Sequence, residues 1–170
     1  MSDDPTTIHP ACLDPEALFA DCELRRVRRS GPGGQHRNKV ETGVVLVHRA
    51  TGLTAEASER RSSAANRARA LHRLRLRLAV EHRGSAREGP SDRWLRRCGP
   101  RIAVNPDHED FPALLAEALD VIFAHEADVR AGASLLGCTP SQLVRFLKLE
   151  TAAFVAVNRW RADRELHVLK

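Results

Sequence analysis

The chain has 170 residues, 42% hydrophobic and 29% charged, with 27 Lys and Arg against 22 Asp and Glu for a formal charge of +5. That balance excludes global disorder and suits one ordinary folded domain or two small ones. No apolar run approaches the ~20 residues that span a bilayer, and residues 1–14 lack the basic start of a secretory signal. A cytoplasmic protein with no membrane association is therefore expected. Cys12, Cys22, Cys98 and Cys138 stand far apart without a CxxC pair, so neither a zinc site nor a disulfide framework is expected.

In chain order, residues 15–23 read as a short helix, with Asp14 as N-cap and Pro15 at the first helical position. Leu24–Arg29 reads as a strand. The stretch from Ser30 to Gln35 holds three Gly and one Pro and must be a loop. Val44–His48 is β-branched and apolar, a buried strand. Thr51-Gly52 turns the chain and Leu53–Ala57 returns as the hairpin partner. Ser62–His82 is the strongest helix, capped by Ser62 or Ser63. Its apolar stripe is Leu71, Leu74 and Leu78 with Ala68 behind it, and Arg67, Arg69, Arg73, Arg75 and Arg77 cover the rest.

Residues 84–111 are rich in Gly and Pro and read as a linker or irregular bridging segment, interrupted by one helical turn around Trp94 that packs on a domain. Leu114, Leu115, Ala118, Leu119, Ile122 and Phe123 then define an amphipathic helix. Val129–Leu136 forms a shorter one that stops at Gly137. Thr139-Pro140 opens the next, over Ser141–Leu149, and a last helix covers Thr151–Arg161. The predicted fold class is α+β. A small mixed sheet with a glycine-rich loop and a long packing helix (residues 1–83) is followed, after the linker, by a small all-α domain over 112–170.

Charge is segregated along the chain. Residues 1–22 carry −5, residues 23–83 carry +10, and residues 84–170 are neutral. A +10 block confined to 61 residues is the footprint of a polyanion binder, with a solvated Arg-rich surface as the plainer alternative.

The loop Gly31-Pro32-Gly33-Gly34-Gln35 concentrates the chemistry. Consecutive glycines let another molecule approach the main chain, and successive amides there can converge on one oxygen as an anion nest or oxyanion site. The Gln35 side chain can both donate and accept, which suits placing a water but not abstracting a proton. A phosphate-binding P-loop is excluded, because Lys39 lies between Asn38 and Val40 where Gly and Ser/Thr are required. On these residues alone a flexible turn is the competing reading.

The run from Arg29 to Lys39, followed by Thr42, a strand, Thr51-Gly52, and Arg61-Ser62 with Asn66 and Arg67, resembles the catalytic GGQ domain of class I peptide chain release factors and of stalled-ribosome rescue hydrolases. The resemblance covers roughly residues 20–83. It implies ribosome-dependent hydrolysis of the peptidyl-tRNA ester, in termination or rescue, with the loop placed in the rRNA of the peptidyl transferase centre. The backbone N–H of Gln35 would stabilise the oxyanion and its side chain would position the water, on a backbone shaped by Gly33 and Gly34. No metal or organic cofactor is implied. The residue matching Gln35 is commonly N-methylated in the family, which implies a glutamine N-methyltransferase as a further partner. One departure is Arg37, where the family usually carries Val.

The RNA-contacting residues expected with this reading are Arg28, Arg29, Ser30, Arg37, Asn38, Lys39, Arg61 and Arg67, with other Arg of the long helix. His36 beside the tripeptide reads as an RNA contact or spacer rather than a general base. From Val129 to Lys148 the chain resembles a helix-turn-helix, with Ala133, Gly137 and Leu143 at the spacing that lets two helices cross closely. Its second helix would expose Ser141, Gln142, Arg145 and Lys148, and Arg145 and Lys148 complete the expected RNA contacts. A plain helical hairpin explains the same spacing. The chain leaves no room for a codon-reading domain and no Lys/Arg-rich tail, so codon-independent action is expected. The alternative is a non-catalytic RNA- or ribosome-binding protein that has kept the fold.

Overall fold

The computed structural model describes residues 8–27, 42–98 and 101–170. They fall into two compact units, one built from residues 13–78 and the other from residues 8–12 with 79–170.

The first unit begins with helix α1 (Pro15–Ala20), where Asp14 accepts from the Glu16 N–H at 3.0 Å and Pro15 opens the helix, as its sequence dictates. Three strands follow: β1 (Cys22–Val27), β2 (Gly43–His48) and β3 (Thr54–Ala57), in the order β1-β2-β3. The α+β class stands as expected. Among the described residues β1–β2 and β2–β3 are both antiparallel pairs. Fifteen residues join β1 to β2 and five join β2 to β3. The second connection turns at Gly52, whose φ of +71° lies in the left-handed region that glycine occupies at no steric cost.

Helix α2 (Ser63–Glu81) packs on this sheet. Val44 and Leu46 of β2, with Ala55 and Ala57 opposite them on β3, bury one face with Ala70, Leu71, Leu74 and Leu78. Ala68, expected behind the leucine stripe, is exposed, and Ala70 takes the inward position instead. A 3.6-residue period puts Ala70, Leu74 and Leu78 on one line and Ala68 well off it.

The second unit is helical: α3 (Asp92–Cys98), α4 (Phe111–Ala124), α5 (Val129–Leu135), α6 (Pro140–Leu147) and α7 (Thr151–Ala162). Residues 84–111, read from composition as a linker, contribute to this core through α3. Trp94 is 1% exposed, donates its ring N–H to the Leu136 carbonyl at 3.0 Å, and meets Phe146 edge to face. Phe111 meets the same ring from another side. Helix α4 is buried on nearly every side, from Phe111 to Ile122, so it is the central helix of the unit rather than an amphipathic surface one. Phe123, expected inside, is 38% exposed.

The helix-turn-helix resemblance has a clear local basis. Ala133 and Leu143 are fully buried, Gly137 turns the chain at φ +67°, and Thr139 and Gln142 form a reciprocal capping box at the start of α6.

Candidate functional site

The loop segment is bracketed by the sheet. Strands β1 and β2 close on the pair Val27↔Gly43, so the ends of the segment that carries Gly33-Gly34-Gln35 leave one end of an antiparallel hairpin. Glycine at 43 is required by crowding. A Cβ there would stand 2.7 Å from the Val27 carbonyl oxygen and 2.8 Å from its Cγ2, closer than real Cβ atoms approach. Gly33, Gly34, Gln35, Arg28, Arg29, Ser30, Arg37, Asn38 and Lys39, together with His36, lie outside the described residues.

The stem on the β2 side is held by a buried amide. Asn66, on the first turns of α2, is 0% exposed. Its Nδ2 donates to the Thr42 carbonyl at 2.7 Å and to the Arg60 carbonyl at 2.9 Å, while its Oδ1 accepts from the Arg60 N–H at 2.9 Å. One side chain thus joins the start of β2, the chain entering α2, and the helix itself.

The basic face of α2 divides into two kinds of arginine. Arg61 is exposed just before the helix. Arg67 is also exposed, with its guanidinium 4.9 Å over the Phe19 ring and 3.9 Å from Glu16, a solvated contact that leaves the charge outward. Arg73, by contrast, donates to the Glu56 carbonyl at 2.7 Å and pairs with Glu59, and Arg77 donates to the Thr54 carbonyl. Arg75 is 5% exposed. Glu59 accepts from its own N–H and that of Ser58, then from Arg73, and these contacts hold its carboxyl down to about 2. Sequence reading grouped all these arginines as one RNA-facing set. The signal that separates them is spacing: Arg73 and Arg77 are one helical turn apart, matching alternate carbonyls of a strand edge.

On the second unit, Arg145 and Lys148 are both exposed. Lys148 caps α6 and sets its ammonium 5.3 Å over the Phe154 ring. Ser141 is exposed, whereas Gln142 is half-buried and spends its side chain on the capping box. Among the described residues no cluster of three or more His, Cys, Asp or Glu is arranged to hold a metal ion. None of the described helices is long and apolar enough to cross a membrane.

Residues 16–99 match the RF-1 domain family. Over 77 residues, 45% of this chain and 22% of the relative, the sequence is 42% identical to peptide chain release factor 1 of Acidiphilium cryptum. Over 84 residues it is 45% identical to peptide chain release factor 1 of Delftia acidovorans, covering 48% of this chain and 23% of that protein. Against the same factor from Caldicellulosiruptor bescii the identity is 47% over 66 residues, 39% of this chain and 19% of the relative. The matched stretch thus spans less than a quarter of each of these relatives.

Proposed function

Since residues 16–99 form a GGQ-containing class I release factor domain, we propose that this protein hydrolyses the ester of peptidyl-tRNA on the ribosome and releases the nascent peptide. The observation that carries this reading is the intact Gly33-Gly34-Gln35 within that domain, on a segment whose two ends are paired at Val27↔Gly43. A binding module has no need of that glutamine.

In this reading water attacks the ester carbonyl carbon, the carbon–oxygen bond to the tRNA ribose breaks, and the proton ends on the departing ribose hydroxyl. The Gln35 N–H meets the charge that develops on the carbonyl oxygen, a contact stronger in the transition state than in the ground state. The Gln35 side chain orients the water. The Arg of residues 23–83, with Lys39, pair with rRNA and tRNA phosphates. Action is codon-independent, with Arg145 and Lys148 of the helical unit adding RNA contacts. A glutamine N-methyltransferase acting on Gln35 and a cytoplasmic location complete the proposal.

Peptide release from programmed ribosome complexes tests it. Gly34→Ala adds a Cβ where the amide is aimed, and loss of one oxyanion donor costs about 10²–10³ in rate. The expected result is loss of release with ribosome association retained. Parental rates from both Gly34→Ala and Gln35→Ala would show that the tripeptide is not catalytic. Binding without any release by the parent would favour the non-catalytic RNA-binding reading.

A further inference from the structure

Asn66 poses a question that the core does not answer. Enclosing a polar amide costs about 1–3 kcal/mol unless its groups are satisfied, and a leucine here would remove the partners of the main-chain groups that the amide meets. Here both Nδ2 protons and one Oδ1 lone pair are used, and every partner is main chain: Thr42, 24 residues away, and Arg60, six residues away. A side chain that bonds only to backbone specifies where that backbone runs, whatever residues occupy it. Thr42 is the residue at which the chain enters β2, next to the closing pair Val27↔Gly43. Next to Thr42 on β2, Gly43 lets Val27 of the opposite strand approach closer than any Cβ would permit.

We infer that Asn66 is the positioning residue of the catalytic loop: its amide locks the Thr42 carbonyl to helix α2 and so holds the point at which the chain passes from the loop segment into β2, seven residues after Gln35 in the sequence. This inference rests on the release activity proposed above for its effect on turnover, and on geometry alone for its effect on the stem. The lock is polar and directional, so its loss lets the stem pivot without removing hydrophobic surface. A displacement of about 1 Å at a reacting group can cost roughly 10²-fold in rate.

The test uses the full chain with Asn66→Asp, which keeps the acceptor toward the Arg60 N–H and sets a second oxygen against the carbonyls of Thr42 and Arg60. Hydrogen exchange should show lost protection at residues 42–44, with the β2–β3 ladder at Leu46 and Val47 still protected. Maximal release should fall roughly 10- to 100-fold with half-saturating protein unchanged. A buried carboxyl takes up its proton well above the usual carboxylate range, and the protonated form donates again, so release should recover in part toward pH 6. Asn66→Ser, which can donate to one carbonyl only, should fall between parent and Asn66→Asp in both measurements, and it replaces Asn66→Asp if that variant does not fold. Protection lost evenly through the sheet, protection unchanged at 42–44, or full turnover by a folded variant would overturn the inference. If the parent releases no peptide while Asn66→Asp loses protection at 42–44 alone, the release reading falls and the lock stands.

Discussion

Arg73 and Arg77 stand one turn apart on α2 and donate to the carbonyl oxygens of Glu56 and Thr54, two residues apart on the edge strand β3. The spacings match because four helical residues rise about 6 Å and two strand residues about 6.6 Å. Two guanidinium groups thereby cover carbonyls that an edge strand would otherwise offer to another chain. These charges serve the fold of the unit before they serve any polyanion.

Arg73→Ala and Arg77→Ala should therefore each cost about 1 kcal/mol of stability and together raise the tendency to self-associate. Affinity for ribosomes should change little. Thermal unfolding, light scattering and ribosome binding on the same variants check this. A large loss of affinity with unchanged stability would return these arginines to the RNA-facing set.

Affinity through residues 23–83 should be phosphate-driven, since that segment carries +10. The binding constant for ribosomes should fall linearly on logarithmic axes as salt rises, with a slope set by the phosphates neutralised. Charge reversal at Arg61 or Arg67, both exposed, should lower that slope, whereas Arg73→Ala should leave it nearly unchanged. Binding of the parent that stayed flat between low and physiological salt would refute a phosphate-driven contact.

Much of this architecture was legible in the residues. Asp14-Pro15, Ser62, Thr139-Pro140 and Gly137 mark ends that depend on one or two side chains, and such signals survive without tertiary information. What was not legible depends on partners distant in sequence. The turn around Trp94 reads from sequence as packed on a domain, but nothing local shows that Leu136 and Phe146 receive its ring. Helix α4 looked amphipathic because its alanines are neutral in any pattern, and only burial on both sides reveals a central helix. Asn66 stood in the motif that carried the family resemblance, yet its bonds to Thr42 and Arg60 follow from the fold rather than from spacing.

The codon-independent action proposed above leads to a third expectation. Complexes with stop or sense codons in the A site should release peptide at similar rates. If the helical unit orients the protein, Arg145→Glu with Lys148→Glu should lower release at limiting protein far more than at saturation, because occupancy is lost while the loop is untouched. A strong preference for stop codons in a purified system would remove the codon-independent reading. Parental release by the doubly reversed variant at limiting protein would remove the role given to Arg145 and Lys148.

The helical unit carries two titrating groups whose effects on stability run in opposite directions. His9 is 9% exposed and bonds to the His82 carbonyl and the Ala11 N–H; burial lowers its pKa from 6.5 to about 4. Between those values the unfolded chain binds the proton and the folded one does not. Stability from His9 is therefore present above pH 6.5 and is lost as pH falls toward 4. Asp120 is 6% exposed and accepts from Arg83 at 2.7 Å and the Gly84 N–H at 3.1 Å; burial outweighs both and pushes its carboxyl from 3.8 up to about 7. Here the folded chain binds the proton over that window, so the contribution of Asp120 declines as pH rises from about 4 to 7. The two trends largely offset one another from pH 4 to 6.5, and single substitutions should unmask them. Relative to the parent, Asp120→Asn should gain stability steadily as pH rises from 4 to 7, on top of a constant loss from weakening the bond to Arg83. His9→Asn should lose stability relative to the parent as pH rises from 4 to 6.5. Both tryptophans, Trp94 and Trp160, lie in this unit, so their fluorescence during denaturant unfolding reads it selectively. Differences that are flat with pH, or that both slope the same way, would show that burial does not set these two groups.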